Sequence, residues 1–394
     1  MSAAPGVLSR YAAPTELVYG PGSVSRLGAE VKRLGGTRVT LVSEPGLAKV
    51  GLVERAEETL REAGLPVDTD YSVPADPTFE EVDRLVARVR SFRSDTVVSF
   101  GSGSVMAAGR SAAVAATHEG PSSLIAGVDK AIQAPLLSIC IPTTAGSGGE
   151  VSRQATITDD HGHKSGIQGW AVAARLAILD AELCVSAPKR QAVASGVDAL
   201  VHALEAYVSR RHSPLTDALA LSSYEVIYRD LPKAIANPTV ELYDGLLLAS
   251  TMANLACGNA GLGLIHGLNK GITYLFHTGR YATLSYGDLH SVIMPFVNAF
   301  NIQAVPGRFT VLARLMGVPA EVPDAAAAAR TVDLIKDWLA GMNAPRKLPW
   351  DSCPPEDIET IVNDVNGRIM AKDNPRASSA EDLRQMVLDC IAGW

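Results

Sequence analysis

The 394-residue sequence has no run of basic residues, and its 35 Lys and Arg are outnumbered by 42 Asp and Glu, a formal charge of −7. It therefore lacks the basic stripe that a phosphate backbone requires, which argues against nucleic acid as a partner. Only five cysteines are present (Cys140, Cys184, Cys257, Cys353 and Cys390), far apart and without a CxxC pair. Neither a disulfide framework nor a zinc knuckle is expected, and a reducing cytoplasm fits best. The opening MSAAPGVLSRYAAPTELVYG has no basic start followed by an apolar core, so it does not read as a signal peptide. Long apolar runs are missing as well. The most apolar stretch, 245–265, is broken by Asn254, Asn259 and several glycines, which predicts a buried helix pair and no membrane partner.

What is present is ordinary globular material, 47% hydrophobic and 20% charged over a length that suits two to three domains. From about Thr37 to Ala187, short β-branched runs (RVTLVS, DTVVSF, LLSICIP) alternate with helical stretches such as 53–63. That alternation predicts a doubly wound, mostly parallel α/β domain over 1–187, because parallel strands are buried on both faces and need crossover helices. From Lys189 the β-branched runs give way to long Ala/Leu-rich stretches, and 188–394 reads as an all-helical domain. The Ala325 to Ala329 run belongs to a helix, and no repeat at solenoid spacing is visible.

Four segments carry chemistry. Gly101, Ser102, Gly103 and Ser104 lie between an expected strand and an expected helix, where backbone amides and a helix N-terminus suit a pyrophosphate. Met106 breaks the GxGxxG pattern, and a tight turn explains this segment alone equally well. A second loop, PTTAGSGGEV, holds Thr143, Thr144 and Ser147 at the carboxyl end of another expected strand, the edge at which open α/β sheets bind ligands. Asp198 and His202 stand four apart on one helix face, a pair suited either to a divalent metal or to a structural hydrogen bond. His266 falls in the apolar stretch GLGLIHGL, where an imidazole needs a polar partner or a metal. His277 and His290 follow and could complete a site, whereas His118, His161, His163 and His212 read as solvated loop residues.

GSGS at 101–104, PTTAGSGGEV at 142–151, GVDALVHALEAY at 196–207 and GLGLIHGL at 261–268 together resemble the ordered signatures of the iron-containing (group III) alcohol dehydrogenases. Relatives of that family include maleylacetate reductases, glycerol dehydrogenases and, more distantly, dehydroquinate synthases. YGPGSV at 19–24, LVSEPGL at 41–47, LARLMGV at 312–318 and DNPR at 373–376 extend the likeness over nearly the whole chain. The resemblance implies a nucleotide-binding α/β domain, a helical metal and substrate domain, and an active site in the cleft between them. Gly101 to Ser104 would hold the pyrophosphate, and Thr143, Thr144 and Ser147 would line the adenine and nicotinamide sides. Lys164 would touch the cofactor. Glu44 would bind the adenosine ribose and repel a 2′-phosphate, which favours NAD while leaving NADP open.

The family holds its metal, iron or zinc, through one Asp and three His, and Asp198, His202 and His266 match the first three positions. Counting back nine residues from Pro295 places Tyr286 at the fourth, with His290 one turn later and His277 in a longer preceding loop as the other candidates. The family histidine four residues after His266 is here Lys270, and the acidic residue and lysine after the glycine loop are Ala107 and Arg110. Lys270 could serve a proton path or pair with an anionic group of the substrate.

The resulting expectation is a soluble NAD(P)-dependent oxidoreductase passing a hydride between nicotinamide and a small alcohol, aldehyde or ketone, with His266 and Lys270 at the chemistry. The alternatives are a metal-free reductase of an anionic carbonyl, an oxo-acid or phosphonate aldehyde, in which Lys270, Arg280 and His290 supply the charge, and a dehydroquinate synthase-like lyase or cyclase. A degenerate member that binds nucleotide or a partner without chemistry ranks last. A homodimer or larger homo-oligomer is expected, with YGPGSV read as an edge strand that could pair across the interface.

Overall fold

The apolar β-branched runs become strands that are buried on both faces. The computed structural model describes residues 10–394, with nine strands: β1 (Glu16–Tyr19), β2 (Val39–Val42), β3 (Val67–Asp70), β4 (Thr96–Gly101), β5 (Gly127–Val128), β6 (Leu137–Pro142), β7 (Gln154–Thr158), β8 (Lys164–Gln168) and β9 (Leu176–Leu179). Six form one sheet in the order β1-β9-β6-β4-β2-β3, every pair parallel. All residues of β2, β4 and β9 are buried, as two-sided coverage demands. A smaller sheet runs β5-β8-β7.

The connecting helices are α1 (Leu27–Arg33), α2 (Pro45–Lys49), α3 (Leu52–Glu62), α4 (Phe79–Phe92) and α5 (Gly103–Ala115). Alternation along the strands divides their side chains between two cores. Val42 and Val97 pack with Val82, Leu85 and Val89 of α4. Val39, Leu41, Val98 and Phe100 pack with Leu27, Val31, Val53 and Leu60 of α1 and α3. The strand order reverses at β2: β3 lies on one side of it, and β4, β6 and β9 lie on the other. The carboxyl ends of β2 and β4 therefore form a topological switch point, where such sheets place ligands.

The later helices are α6 (Lys189–Val208), α7 (Pro214–Ala236), α8 (Val240–Ala260), α9 (Leu264–Phe276), α10 (Tyr286–Ile302), α11 (Pro306–Leu315), α12 (Asp324–Gly341), α13 (Pro355–Gly367), α14 (Ile369–Asp373) and α15 (Ala380–Ala392). Among the described residues, none after β9 is in a strand. Contact density separates one unit, Ala13–Ala187 with Thr239–Thr251, from a second that includes Pro188–Pro238 and Met252–Trp394. The first half of α8 thus groups with the sheet, a feature that a single cut after residue 187 omits.

Two further expectations change. YGPGSV is not itself a strand: β1 ends at Tyr19, and the next residues form a turn and a short 3-10 helix, although β1 does lie at the sheet edge. His118 is buried rather than solvated. Its Nδ1 meets Val114 O at 2.9 Å, and its Nε2 accepts the backbone N–H groups of Ile132 and Gln133 at 3.2 Å each. The turn after α5 wraps around this side chain, a long-range closure that local polarity does not reveal. Among the described residues, no single helix is long and apolar enough to cross a membrane.

Candidate metal centre and nucleotide loops

In the helical unit, the sequence GVDALVHALEAY lays Asp198, His202 and Glu205 along one face of α6 at i, i+4 and i+7. α9 brings His266 to this stripe, and α10 brings His290. One ligand atom each from Asp198, His266 and His290 lie within 4.8 Å of one another, and all three residues are buried. Asp198 Oδ1 is 3.0 Å from His290 Nδ1, 3.8 Å from His266 Nε2 and 3.9 Å from His202 Nε2. The His202 ring stacks on His266 at 4.9 Å. Among the described residues, Asp198 Oδ1, His266 Nε2 and both His290 nitrogens make no aligned hydrogen bond. Buried polar atoms without partners are costly, and one carboxylate with three imidazoles is a donor set for iron or zinc, so the residues fit a divalent cation.

The electrostatics agree. Burial, together with the neighbouring His290 and His202 imidazoles, holds His266 well below the ordinary histidine value, so it stays neutral as a ligand must. Burial alone would raise Asp198, but His202, His290 and His266 outweigh it and keep the carboxylate ionised.

The three candidates for the fourth position lie in different surroundings. His290 is fully buried within the cluster. Tyr286, one turn earlier on α10, packs edge-on to His290 with ring centroids 5.0 Å apart and lies 6.0 Å from the His266 ring. His277 is exposed at the end of α9 and is not part of the group. Gly287 permits this register. A Cβ there would fall 2.0 Å from Ala194 O, so only glycine lets the first turn of α10 lie against the α6 backbone. Lys270 is buried one turn after His266 on α9. Arg280 is more than half exposed and paired with Asp357 at 2.8 Å.

One buried residue of this centre carries no obvious mark in the sequence. Glu205 Oε2 lies 2.8 Å from His266 Nδ1 and accepts the Gly263 N–H at 2.8 Å, while Oε1 accepts the N–H groups of Ile265 at 2.6 Å and His266 at 3.4 Å. Asn374 of the DNPR segment accepts the remaining one, Leu264 N–H, at 3.3 Å. Four N–H groups at the start of α9 are thus bound by two side chains. The signal for Glu205 was its place in an apolar helix, seven residues after Asp198.

In the sheet unit, both glycine-containing loops leave the carboxyl ends of adjacent strands, with Gly101 opposite Pro142 and Thr143 N–H donating to Gly101 O at 3.2 Å. A Cβ on Gly103 would lie 2.8 Å from Ser147 Oγ, so the loops close on each other where α5 begins. Thr143 and Thr144 are buried beside them. Glu44, just after β2, accepts Ser102 N–H at 3.2 Å and Ser102 Oγ–H at 3.0 Å, which places its carboxylate at the switch point. Lys164 pairs with Asp76, whose neighbour Ala75 takes a hydrogen bond from Ser104 at 2.5 Å, so it stands beside the glycine loop. Arg110 is structural: its buried guanidinium donates to the carbonyls of Met106, Ser152, Val172 and Gln154.

Comparisons with known proteins agree with this architecture. The chain is 30% identical over 387 residues to the NAD-dependent methanol dehydrogenase of Bacillus methanolicus, covering 98% of this chain and all of that one. A solved 1,3-propanediol oxidoreductase superposes with a TM-score of 0.92 at 28% identity, covering 98% and 100%. The iron-containing alcohol dehydrogenase of Thermococcus thioreducens gives 0.88 at 28% identity, with the same coverage. Residues 14–181 match the family described as iron-containing alcohol dehydrogenase, and 192–390 match its Fe-containing C-terminal family. With matches to both of its parts over nearly all of its length, the chain belongs to the iron-containing alcohol dehydrogenase family.

Proposed function

We propose that this chain catalyses the nicotinamide-dependent, metal-assisted interconversion of a small alcohol with its aldehyde or ketone. The observation that carries the reading is the buried convergence of Asp198, His266 and His290 on one point, with His202 stacked alongside. A divalent cation, iron or zinc, held by these four would act as a Lewis acid on the substrate oxygen and favour the alkoxide. A nicotinamide bound at the glycine-containing loops would accept the hydride that the carbinol carbon gives up as the hydroxyl loses its proton, so that alcohol and oxidised nicotinamide would become carbonyl, reduced nicotinamide and a proton.

Residues of this chain supply the rest. Among the four donors Asp198 alone brings a negative charge, and the neutral imidazoles bring lone pairs without adding charge. Lys270 stands one turn from His266, as a group that would hold a proton or an anionic substituent near the substrate oxygen. In the Gly101 to Ser104 loop, Gly103 and Ser104 offer amides at the start of α5 to the pyrophosphate, with Thr143, Thr144, Ser147 and Lys164 around it. Glu44, held by Ser102, suits a ribose 2′-hydroxyl and opposes a 2′-phosphate, which supports NAD over NADP. The donor cluster supports this form over a metal-free route, and the dehydrogenase names of the relatives support net oxidation over an internal redox cycle. Methanol and 1,3-propanediol, named for relatives, begin a substrate panel. We place the enzyme in the cytoplasm, without nucleic-acid or membrane partners, as a homodimer or larger assembly. A sedimenting mass of one chain would overturn the last point.

The deciding experiment compares His290→Ala with Tyr286→Phe. The wild type should retain about one divalent metal per chain after dialysis and reduce NAD with a small alcohol. His290→Ala should lose metal affinity by ~10²-fold or more, whereas Tyr286→Phe should keep it. Retention by His290→Ala with loss in Tyr286→Phe would return the fourth position to Tyr286, and a metal-free, active wild type would remove the reading.

A further inference from the structure

Glu205 is attached to the same centre without being one of its donors. Its carboxylate is buried on α6, and its two oxygens accept three backbone N–H groups, from Gly263, Ile265 and His266, and face His266 Nδ1 at 2.8 Å. Three backbone donors favour the ionised carboxylate, and an ionised carboxylate can only accept from Nδ1. A neutral imidazole carries one N–H. If Nδ1 bears it, Nε2 holds the lone pair, and Nε2 is the atom that lies 3.8 Å from Asp198 Oδ1 without a hydrogen bond.

We propose that Glu205 is a positioning residue that fixes His266 as its Nδ1–H tautomer and aims Nε2 at the cation. The assignment rests on the metal reading above. The same side chain holds the first turn of α9 by its free amides, so the ligand's backbone and its ring are oriented by one carboxylate. The stripe Asp198, His202, Glu205 then gives α6 two tasks: it supplies two donors and orients a third from another helix.

The test uses the full chain. Long-range 1H–15N spectra of the metal-free wild type should show His266, identified by the signal lost in His266→Gln, protonated at Nδ1. In Glu205→Gln the amide can present N–H to Nδ1, so the ring should move to the Nε2–H form, and Co2+ affinity measured by titration should fall 10- to 100-fold. An Nε2–H signal in the wild type overturns the proposal, and this result needs no variant of Glu205. So does a Glu205→Gln protein that melts lower but binds Co2+ as tightly as the wild type, since that describes a merely structural residue. A wild type that takes up no Co2+, Zn2+ or Fe2+ fails the metal reading instead, while the tautomer is still scored on its own.

Discussion

Asp70 is held by several partners at once. It lies at the end of β3, almost fully buried, with Arg84 of α4 at 2.5 Å, Arg88 at 3.4 Å and Ser72 donating from both its backbone N–H and its hydroxyl. Burial alone would raise its pKa, but the hydrogen bonds from Arg84 and Ser72 outweigh this and hold it below the ordinary aspartate value. Because the folded value lies below the unfolded one of about 3.9, ionised Asp70 stabilises the fold fully above about pH 5. That contribution disappears as the pH falls through about 4 toward the folded value. Arg84 is 40% exposed, so solvent screening limits the contribution to about 1 kcal/mol. Urea midpoints measured from pH 3 to 7 should therefore rise less steeply with pH in Asp70→Asn than in the wild type. Parallel slopes would show that the pair does not couple to folding.

At the scale of elements, the centre depends on how α10 lies on α6. Gly287 lets the two backbones touch at Ala194, and Pro295 interrupts the α10 ladder two turns later, leaving the Ser291 carbonyl to accept the indole N–H of Trp394 at 3.2 Å. Ser291 Oγ also donates to Pro345 O at 2.9 Å. The turn that carries His290 is thus tethered on both sides. A methyl group at 287 cannot be accommodated without separating the helices, so Gly287→Ala should cost about 1–3 kcal/mol and reduce metal affinity together with stability. Equilibrium unfolding and metal titration on one sample check both, and normal metal affinity in this variant would mean that the contact at Ala194 does not set the ligand.

Over the whole molecule, the candidate metal centre and the candidate nucleotide loops are built from separate stretches of chain. Asp198, His202, Glu205, His266 and His290 all belong to the helical unit, and Glu44, the glycine loop, Thr143, Thr144, Ser147 and Lys164 all belong to the sheet unit. Loss of one ligand should leave the other bound. His266→Ala should lose its metal yet bind NADH within about twofold of wild type, and Gly103→Ala should keep its metal while NADH binding weakens ~10-fold as the added Cβ displaces Ser147. Calorimetric titration of each variant with NADH and with Zn2+ checks the pair. Equal loss of both ligands in either variant would show that the sites are energetically one.

Much of this was legible in the order of residues. The alternation of β-branched runs with helices dictates a parallel sheet, since only that arrangement buries such runs on both faces. The 3.6-residue period alone places Asp198 and His202 on one face of α6. Sequence also located both glycine loops, because strand-to-helix turns at a sheet's carboxyl edge have few other residue choices. It did not decide the fourth donor. The loop between α9 and α10 obscures the count, so Tyr286, His277 and His290 all stay open in the sequence, whereas packing buries His290 beside Asp198 and leaves His277 at the surface. Glu205 and His118 depended on tertiary structure for the same reason. Each is a polar side chain whose partners lie far along the chain, 58 to 61 residues away for the groups bound by Glu205 and 14 to 15 for the amides bound by His118 Nε2. Local periodicity specifies which face a residue occupies, but only the closed fold specifies which distant donor that face meets.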